Sequence, residues 1–369
     1  MSFFSRLSLE SKTARWVFLL AATLGLAALF SHFRVPASML LSGMAVGVAL
    51  STRGRGLRLP KPVFVIAQGI LGSVIARTMT PEAFSEIFSH WPLMFFMVVS
   101  TAIFSSILGW LLAKTRTLPG STAIWGTSTG GALIMTVMSE EYGADSRLVA
   151  FMQYFRVILV TLVATLVVGL WGEPMTIREI VSSSGPAPET FDWFNFFLTI
   201  CLALSGAVAS YLINFSSAQL LFPLFLGAIL NYMGWIHIVV PWWLMALSNI
   251  VIGWSIGLRF NREIIRHVAR AFPKVFLTLL TLIALCGGLA YVAALATGMD
   301  PLTAYMATSP GGIDAIAILS VSMGGNMSFV MAAQTLRLIL VIIIGPYLAT
   351  FVARRTGFVA RTDPKKNDK

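Results

Sequence analysis

The chain has 369 residues, 57% of them hydrophobic and only 11% charged, and its mean hydropathy is +0.83. A soluble domain carries about 25% charged residues, so a soluble globular fold is excluded and a polytopic membrane protein is expected. The net charge of +11 does not point to nucleic acid, because the basic residues lie in short stretches between apolar segments, as in loops that face anionic headgroups.

The N-terminal stretch, Met1 to Arg15, carries Arg6, Lys12 and Arg15 ahead of an apolar run from Trp16 to Phe30. No small-residue cleavage site follows, so this run reads as a retained membrane segment rather than a signal peptide. Further apolar segments run from Val35 to Leu50, Pro62 to Ala76, Trp91 to Ala113, Leu118 to Met138 and Leu148 to Trp171. A polar stretch from Gly172 to Asp192 then separates two halves. The second half contains Trp193 to Ile213, Leu220 to Met233, Val240 to Leu258, Pro273 to Thr297, Pro301 to Met323 and Phe329 to Val352. The chain thus divides into a first membrane repeat (1–171), an extracytoplasmic linker (172–192), a second membrane repeat (193–353) and a basic cytoplasmic tail (354–369). Several segments fall short of the ~20 residues of a perpendicular crossing. Short or Gly/Pro-interrupted segments at matching positions of two halves point to a transporter's binding site.

The halves repeat one another. Gly311 follows Gly130 by 181 residues, Gln334 follows Gln153 by the same interval, and Arg337 follows Arg156. In context, Thr127-Ser128-Thr129-Gly130-Gly131 pairs with Thr308-Ser309-Pro310-Gly311-Gly312 without a gap, which is the signature of a duplication. If both Gly-Gly segments crossed the bilayer, the loop holding Arg259, Arg262, Arg266, Arg270 and Lys274 would have to translocate. Short loops with that many basic residues rarely do. If both segments instead enter and leave on one side, this loop, the Arg53/Arg55/Arg58/Lys61 loop, the Lys114/Arg116 loop and both termini are cytoplasmic. The expected fold is therefore an all-α polytopic membrane protein of two inverted repeats, each with about five crossings and one re-entrant or broken Gly-Gly segment.

Pro310 removes a backbone donor and disfavours helix at Ser309, and paired glycines permit backbone shapes closed to other residues. Irregular backbone at membrane depth is tolerated where protein or a water-filled cavity satisfies it. Ser128, Gly130, Gly131, Ser309, Gly311 and Gly312 are accordingly candidate solute-binding residues, with close helix–helix contact as the structural alternative. Gln153 and Arg156 share a helical face, as do Gln334 and Arg337. A charge at bilayer depth costs at least ~2.5–3.5 kcal/mol and usually faces a cavity or a partner. The two arginines are candidates for anion coordination; a structural pair with a carbonyl or carboxylate is the alternative. Asp314, which replaces Leu133 of the first copy, is a candidate coupling residue or a fixed partner of Arg337. Gln68 and Asn249 are equivalent amides suited to interhelical hydrogen bonds. Cys201 and Cys286 stand alone, and His32, His90, His237 and His267 form no cluster. No metal, cofactor or catalytic group is therefore expected, and the chain does not read as an enzyme.

The residues Trp125-Gly126-Thr127-Ser128-Thr129-Gly130-Gly131, Tyr142-Gly143-Ala144-Asp145, Ile252-Gly253-Trp254, Ala307-Thr308-Ser309-Pro310-Gly311-Gly312 and Gln334-Thr335-Leu336-Arg337 resemble those of the AbrB-type bacterial inner-membrane proteins, which carry a duplicated membrane domain. The resemblance covers nearly the whole chain. It departs at Thr129, where that family often has proline. The family is named for an effect on gene expression, and its members are often labelled ammonia monooxygenases, a label for which this chain offers no metal constellation. It is distantly similar to transporter folds built on inverted repeats. These readings imply a secondary transporter of a small polar or anionic solute in the inner membrane, proton- or cation-coupled through Asp314. Elevator-like carriers of this kind suggest a homodimer. A membrane-embedded regulator acting through a protein partner is the second reading, and a membrane oxygenase the third.

Overall fold

The computed structural model describes residues 12–33, 35, 37–54, 56–115, 117–118, 121–171, 192–215, 217–311 and 326–355. Gly312, Asp314, the linker up to residue 191 and the tail from residue 356 lie outside them. The described residues are helical, with no strand among them. Six described helices are long and apolar enough to cross a membrane, so the chain is an all-α, multi-pass membrane protein.

In the first half the elements are α1 (Lys12–His32), α2 (Ser38–Ser51), α3 (Lys61–Ala76), α4 (Pro81–Ser89), α5 (Trp91–Lys114), α6 (Thr122–Thr127), α7 (Ala132–Glu141) and α8 (Ser146–Trp171). The second half holds α9 (Trp193–Ile213), α10 (Ala218–Tyr232), α11 (Trp242–Gly257), α12 (Arg262–Thr297), α13 (Pro301–Thr308) and α14 (Met327–Arg355). The interval of 181 residues carries α1 onto α9 and α3 onto α11 with the same ends, and α2, α6 and α8 onto α10, α13 and α14 within a few residues.

Two elements differ from the sequence expectation. The Arg259–Lys274 stretch is not a loop beyond its first three residues: α12 begins at Arg262 and runs unbroken for 36 residues. Asn261 caps it, its Oδ1 accepting the Ile264 N–H at 2.8 Å, and Glu263 complements the dipole in the first turn. In the first half the same stretch is divided into α4 and α5 at His90, whose backbone leaves the helix (φ −121°, ψ 26°). Ala271, at the equivalent position, is the better helix former. The other difference is α4 itself, which the hydrophobic pattern did not announce. Its start signals are local: Thr80 Oγ1 accepts the Ala83 N–H and Pro81 occupies the first turn.

The helices sort into two groups. The first three of each half pack together: α2 on α11, α3 on α10, α9 on both α10 and α3, α1 on α2, and α11 on α3. The remaining helices, α4 to α8 and α12 to α14, form a second group, which meets the first where α11 passes α8. Glycines hold the first group tight. A Cβ on Gly253 would stand 2.3 Å from the Leu40 carbonyl oxygen, and one on Gly257 2.3 Å from that of Met44. Gly72 lies as close to the Leu220 carbonyl oxygen. Small residues let backbones approach within the membrane, where apolar burial gives helices little drive to associate. Of the paired amides, Gln68 is buried with its Oε1 unpartnered, while Asn249 donates to Met245 of its own helix.

Polar contacts join the ends of these helices into two clusters. At one end Ser51 donates to the Leu258 and Phe260 carbonyls, Arg262 to that of Thr52, and Lys274 to the Thr117 hydroxyl. Arg259 pairs there with Glu140, and Arg147 with Asp145. Asp145 carries the counter-ion of its neighbour: burial raises its pKa, but the hydrogen bonds and charge of Arg147 outweigh burial and hold it below the ordinary carboxylate value. At the other end Asn231 donates to the Met79 carbonyl, the His237 N–H to Asn195, and the His90 ring meets that of Phe329 edge-on.

Candidate functional site

Both Gly-Gly breaks lie in the second helix group. Between α6 and α7 the chain leaves the helix over Ser128 to Gly131, extended at Ser128 and Gly131 and bent at Gly130, and the helix before the break ends in carbonyls with no partner of their own. The α6–α7 pair is a hairpin, because the Asp145 N–H beyond α7 donates to the Thr122 hydroxyl at the start of α6 (3.2 Å). The second copy carries the same tie: the Asn326 N–H donates to the Thr303 hydroxyl at the start of α13, again 3.2 Å. The first hairpin opens at the end that holds Arg259 and Glu140. The tie of the second copy sits at the end that holds Phe329 and His90.

Each break is stitched by the long helix that follows it. On α8, Gln153 Nε2 donates to the Trp125 carbonyl at 2.7 Å and to that of Ser128 at 3.0 Å. Arg156 Nη1 also donates to Ser128, and its Nη2 reaches the Gly130 carbonyl at 3.3 Å. On α14, Gln334 Nε2 donates to the Met306 carbonyl at 2.8 Å. Arg337 sends Nη1 to Ser309 at 2.7 Å and Nη2 to Gly311 at 3.2 Å, and Nη2 also meets Gln334 Oε1. The planar fork of a guanidinium suits two carbonyls side by side. It also places a positive charge at the negative end of a short helix. Thr127 and Thr308 add a further tie that sequence reading did not assign: their hydroxyls donate to the Ser105 and Cys286 carbonyls at 3.0 and 3.1 Å. The recurrence of threonine at the same interval was the available signal.

The candidate residues therefore assemble as two sets, Ser128, Gly130, Gly131, Gln153 and Arg156 in one, and Ser309, Gly311, Gln334 and Arg337 in the other. The sets adjoin. A Cβ on Gly130 would meet Val341 of α14 at 3.0 Å, and one on Gly131 would meet Leu338 at 3.3 Å. All four Gln and Arg side chains are buried. The Nη atoms of both arginines face backbone carbonyls, not an open space. Several buried polar atoms at the breaks lack a partner: Trp125 Nε1, Thr129 Oγ1, Gln153 Oε1 and Arg156 Nε. Thr129 and Trp125 were not among the sequence candidates. A small cavity beside the first break is lined by Ser105, Ser106, Trp125, Ser128, Val341 and Gly345. Among the described residues no three His, Cys, Asp or Glu side chains converge in a metal-ligand group.

Comparison with known proteins places the chain in a family. The family model described as "Transition state regulatory protein AbrB" matches residues 48–353, a range that includes both breaks. The chain is 37% identical over 344 residues to the Escherichia coli (strain K12) protein named "Putative regulator AbrB", covering 92% of this chain and 97% of that one. It is 27% identical over 293 residues to the Bacillus subtilis (strain 168) "Uncharacterized protein YhjN", covering 76% of each. With the family model spanning both breaks and a relative aligned almost from end to end, the chain belongs to the AbrB family of membrane proteins.

Proposed function

We propose that the chain is a secondary transporter of a small polar or anionic solute, built from two inverted repeats and working in a bacterial inner membrane. The observation that carries the reading is the pair of stitched breaks in one helix group. The ties at the bases of the two copies lie at opposite ends of the molecule, and the tip of the first break meets α14 beside Arg337. Broken helices at the interface of two repeats are where transporter folds hold solute and coupling ion. Inversion draws support from packing. Ser51 at the C-terminal end of α2 meets the residues that follow α11, so these helices run the same way although α11 is the counterpart of α3. Two buried guanidinium charges beside unpaired hydroxyl and amide groups favour an anion or a polar solute with acceptor atoms. The concentration of basic residues at the Arg259 end favours a cytoplasmic assignment for that end.

The test is counterflow in proteoliposomes with a panel of small organic anions, amines and neutral metabolites. Wild type is compared with Arg337→Gln, Thr129→Val and Asp314→Asn. A solute whose flux is lost in Arg337→Gln supports the reading, and unchanged flux in all three variants sinks the site assignment. The second reading, a regulator acting through a partner, rests on the names that the family model and the E. coli relative carry. Removal of residues 354–369 separates the two: transport survives it, while a signal passed through the tail does not.

A further inference from the structure

The first turns of α12 carry Arg262, Arg266, Arg270 and Lys274, one every four residues, so the four cations form a single stripe. The stripe is about 18 Å long at 1.5 Å per residue. All four side chains are exposed. Arg262 is tied to the Thr52 carbonyl and Lys274 to Thr117, while Arg259 and Arg147 nearby have carboxylate partners. Arg266 and Arg270 have neither, and no described carboxylate, Glu263 included, comes within ion-pair distance of them. His267 meets the Thr117 carbonyl at 3.0 Å, which draws Thr117 against the stripe.

The position of the stripe matters as much as its charge. A helix of 36 residues is about 54 Å long, against ~30 Å of hydrocarbon core. The uncharged run that follows Lys274 is long enough to fill that core, which leaves the stripe at headgroup depth and beyond. Phe272 and Phe276 of α12 pack against Phe151 and Phe155 of α8, and Phe272 keeps an exposed face, suited to the upper part of an acyl chain. The duplication supplies an internal control. In the first half Pro81, Ser85, Ser89 and Leu93 stand where the four cations stand in the second, so the fold of the repeat does not require them.

We propose that Arg266 and Arg270, flanked on the stripe by Arg262 and Lys274, bind the phosphodiester headgroup of an anionic phospholipid. A guanidinium pairs with phosphate oxygens through two parallel hydrogen bonds, and a row of basic residues next to a membrane span is where anionic lipid collects. The lipid, not a free phosphate, is the occupant, because the stripe is continuous with the lipid-facing surface of α12.

The experiment uses the full chain reconstituted in phosphatidylcholine vesicles with and without 30 mol% phosphatidylglycerol, with thermal unfolding and lipid retention measured for each. Wild type is expected to unfold at higher temperature with phosphatidylglycerol and to lose that gain in high salt. Arg266→Gln/Arg270→Gln is expected to bind phosphatidylglycerol about 30-fold more weakly, at the usual strength of two basic residues near an anionic surface. The same variant should unfold like wild type in pure phosphatidylcholine, which shows that it folds. Arg53→Gln/Arg58→Gln, at the same end, is expected to keep the gain. No gain in wild type overturns the proposal. So does an equal loss in both double variants, which would mean diffuse surface charge, or an equal gain from inorganic phosphate added to phosphatidylcholine vesicles.

Discussion

Arg337→Gln offers the sharpest measure of how the second break is held. The guanidinium serves three acceptors: the Ser309 and Gly311 carbonyls at 2.7 and 3.2 Å and Gln334 Oε1. Ser309 keeps a weaker donor in Gln334 Nε2 at 3.5 Å, so two acceptors lose all described partners. Each buried orphan costs about 1–3 kcal/mol, and removal of a buried charge returns part of its desolvation cost. The expected net loss is about 2–4 kcal/mol, or roughly 5–10 °C in unfolding temperature at the sensitivity of larger domains. Tryptophan fluorescence of the detergent-solubilised protein reads it directly. A double-mutant cycle sharpens the test. Gln334 and Arg337 bond to each other, whereas Gln153 and Arg156 share only the Ser128 carbonyl. Coupling between Gln334→Leu and Arg337→Gln should therefore exceed that between Gln153→Leu and Arg156→Gln. An unfolding temperature within a degree of wild type, or equal coupling in the two pairs, would refute the assignment of Arg337 as the clamp of the break.

Further outcomes follow from the packing and the ion pairs. Gly257→Ala places a Cβ 2.3 Å from a backbone oxygen and should cost about 1–3 kcal/mol; Gly288→Ala meets nothing within 4 Å and should be neutral or slightly stabilising, both read by thermal unfolding. Asp145 is held below the ordinary carboxylate value. Its stabilisation is therefore complete above the unfolded value of about 3.9 and lost as pH falls through the lower folded one. Stability curves of wild type and Asp145→Asn should differ at pH 5 to 7 and converge toward pH 3, and a constant difference would contradict the assignment. Cysteines at Glu140 and Arg259, a contacting pair between α7 and the connector that follows α11, should abolish flux when joined by a short cross-linker in a Cys201→Ser/Cys286→Ser background. Flux that survives full cross-linking argues against movement between the groups.

The parts of this architecture that sequence could reach are those carried by local chemistry or by the repeat interval. Gly130-Gly131 and Gly311 announce the breaks because they recur at the repeat interval, although it is space and not backbone shape that Gly130 supplies, since a Cβ there would stand 2.7 Å from Met135; Gln153 with Arg156 announce a polar face because apolar neighbours isolate them. What the guanidiniums touch was not legible. The carbonyls of Ser128 and Ser309 carry no side-chain signature, and an arginine that faces an anion is spaced like one that clamps a helix end. The unbroken course of α12 was hidden for a different reason. Arg262 to Lys274 is polar enough to pass for a loop, and its four-residue period lies on one face only once a helix is assumed.

The grouping of the helices was the least accessible feature, because it joins residues that the chain keeps far apart. Leu40 meets Gly253 and Gly72 meets Leu220, so each half contributes its first three helices to one group and its later helices to the other. The chain must then cross between groups within each half. The described crossings are Arg77 to Thr80 and Leu258 to Asn261, two four-residue connectors related by the same interval as the breaks. Both are anchored by polar contacts, Met79 to Asn231 and Arg259 to Glu140 and Arg147. A displacement of the group that carries the breaks would rotate the backbone at these connectors while leaving the glycine-packed group intact. The duplication thus places the two connectors at opposite ends of the molecule, with Leu258 to Asn261 held against Glu140 at the end of the first hairpin.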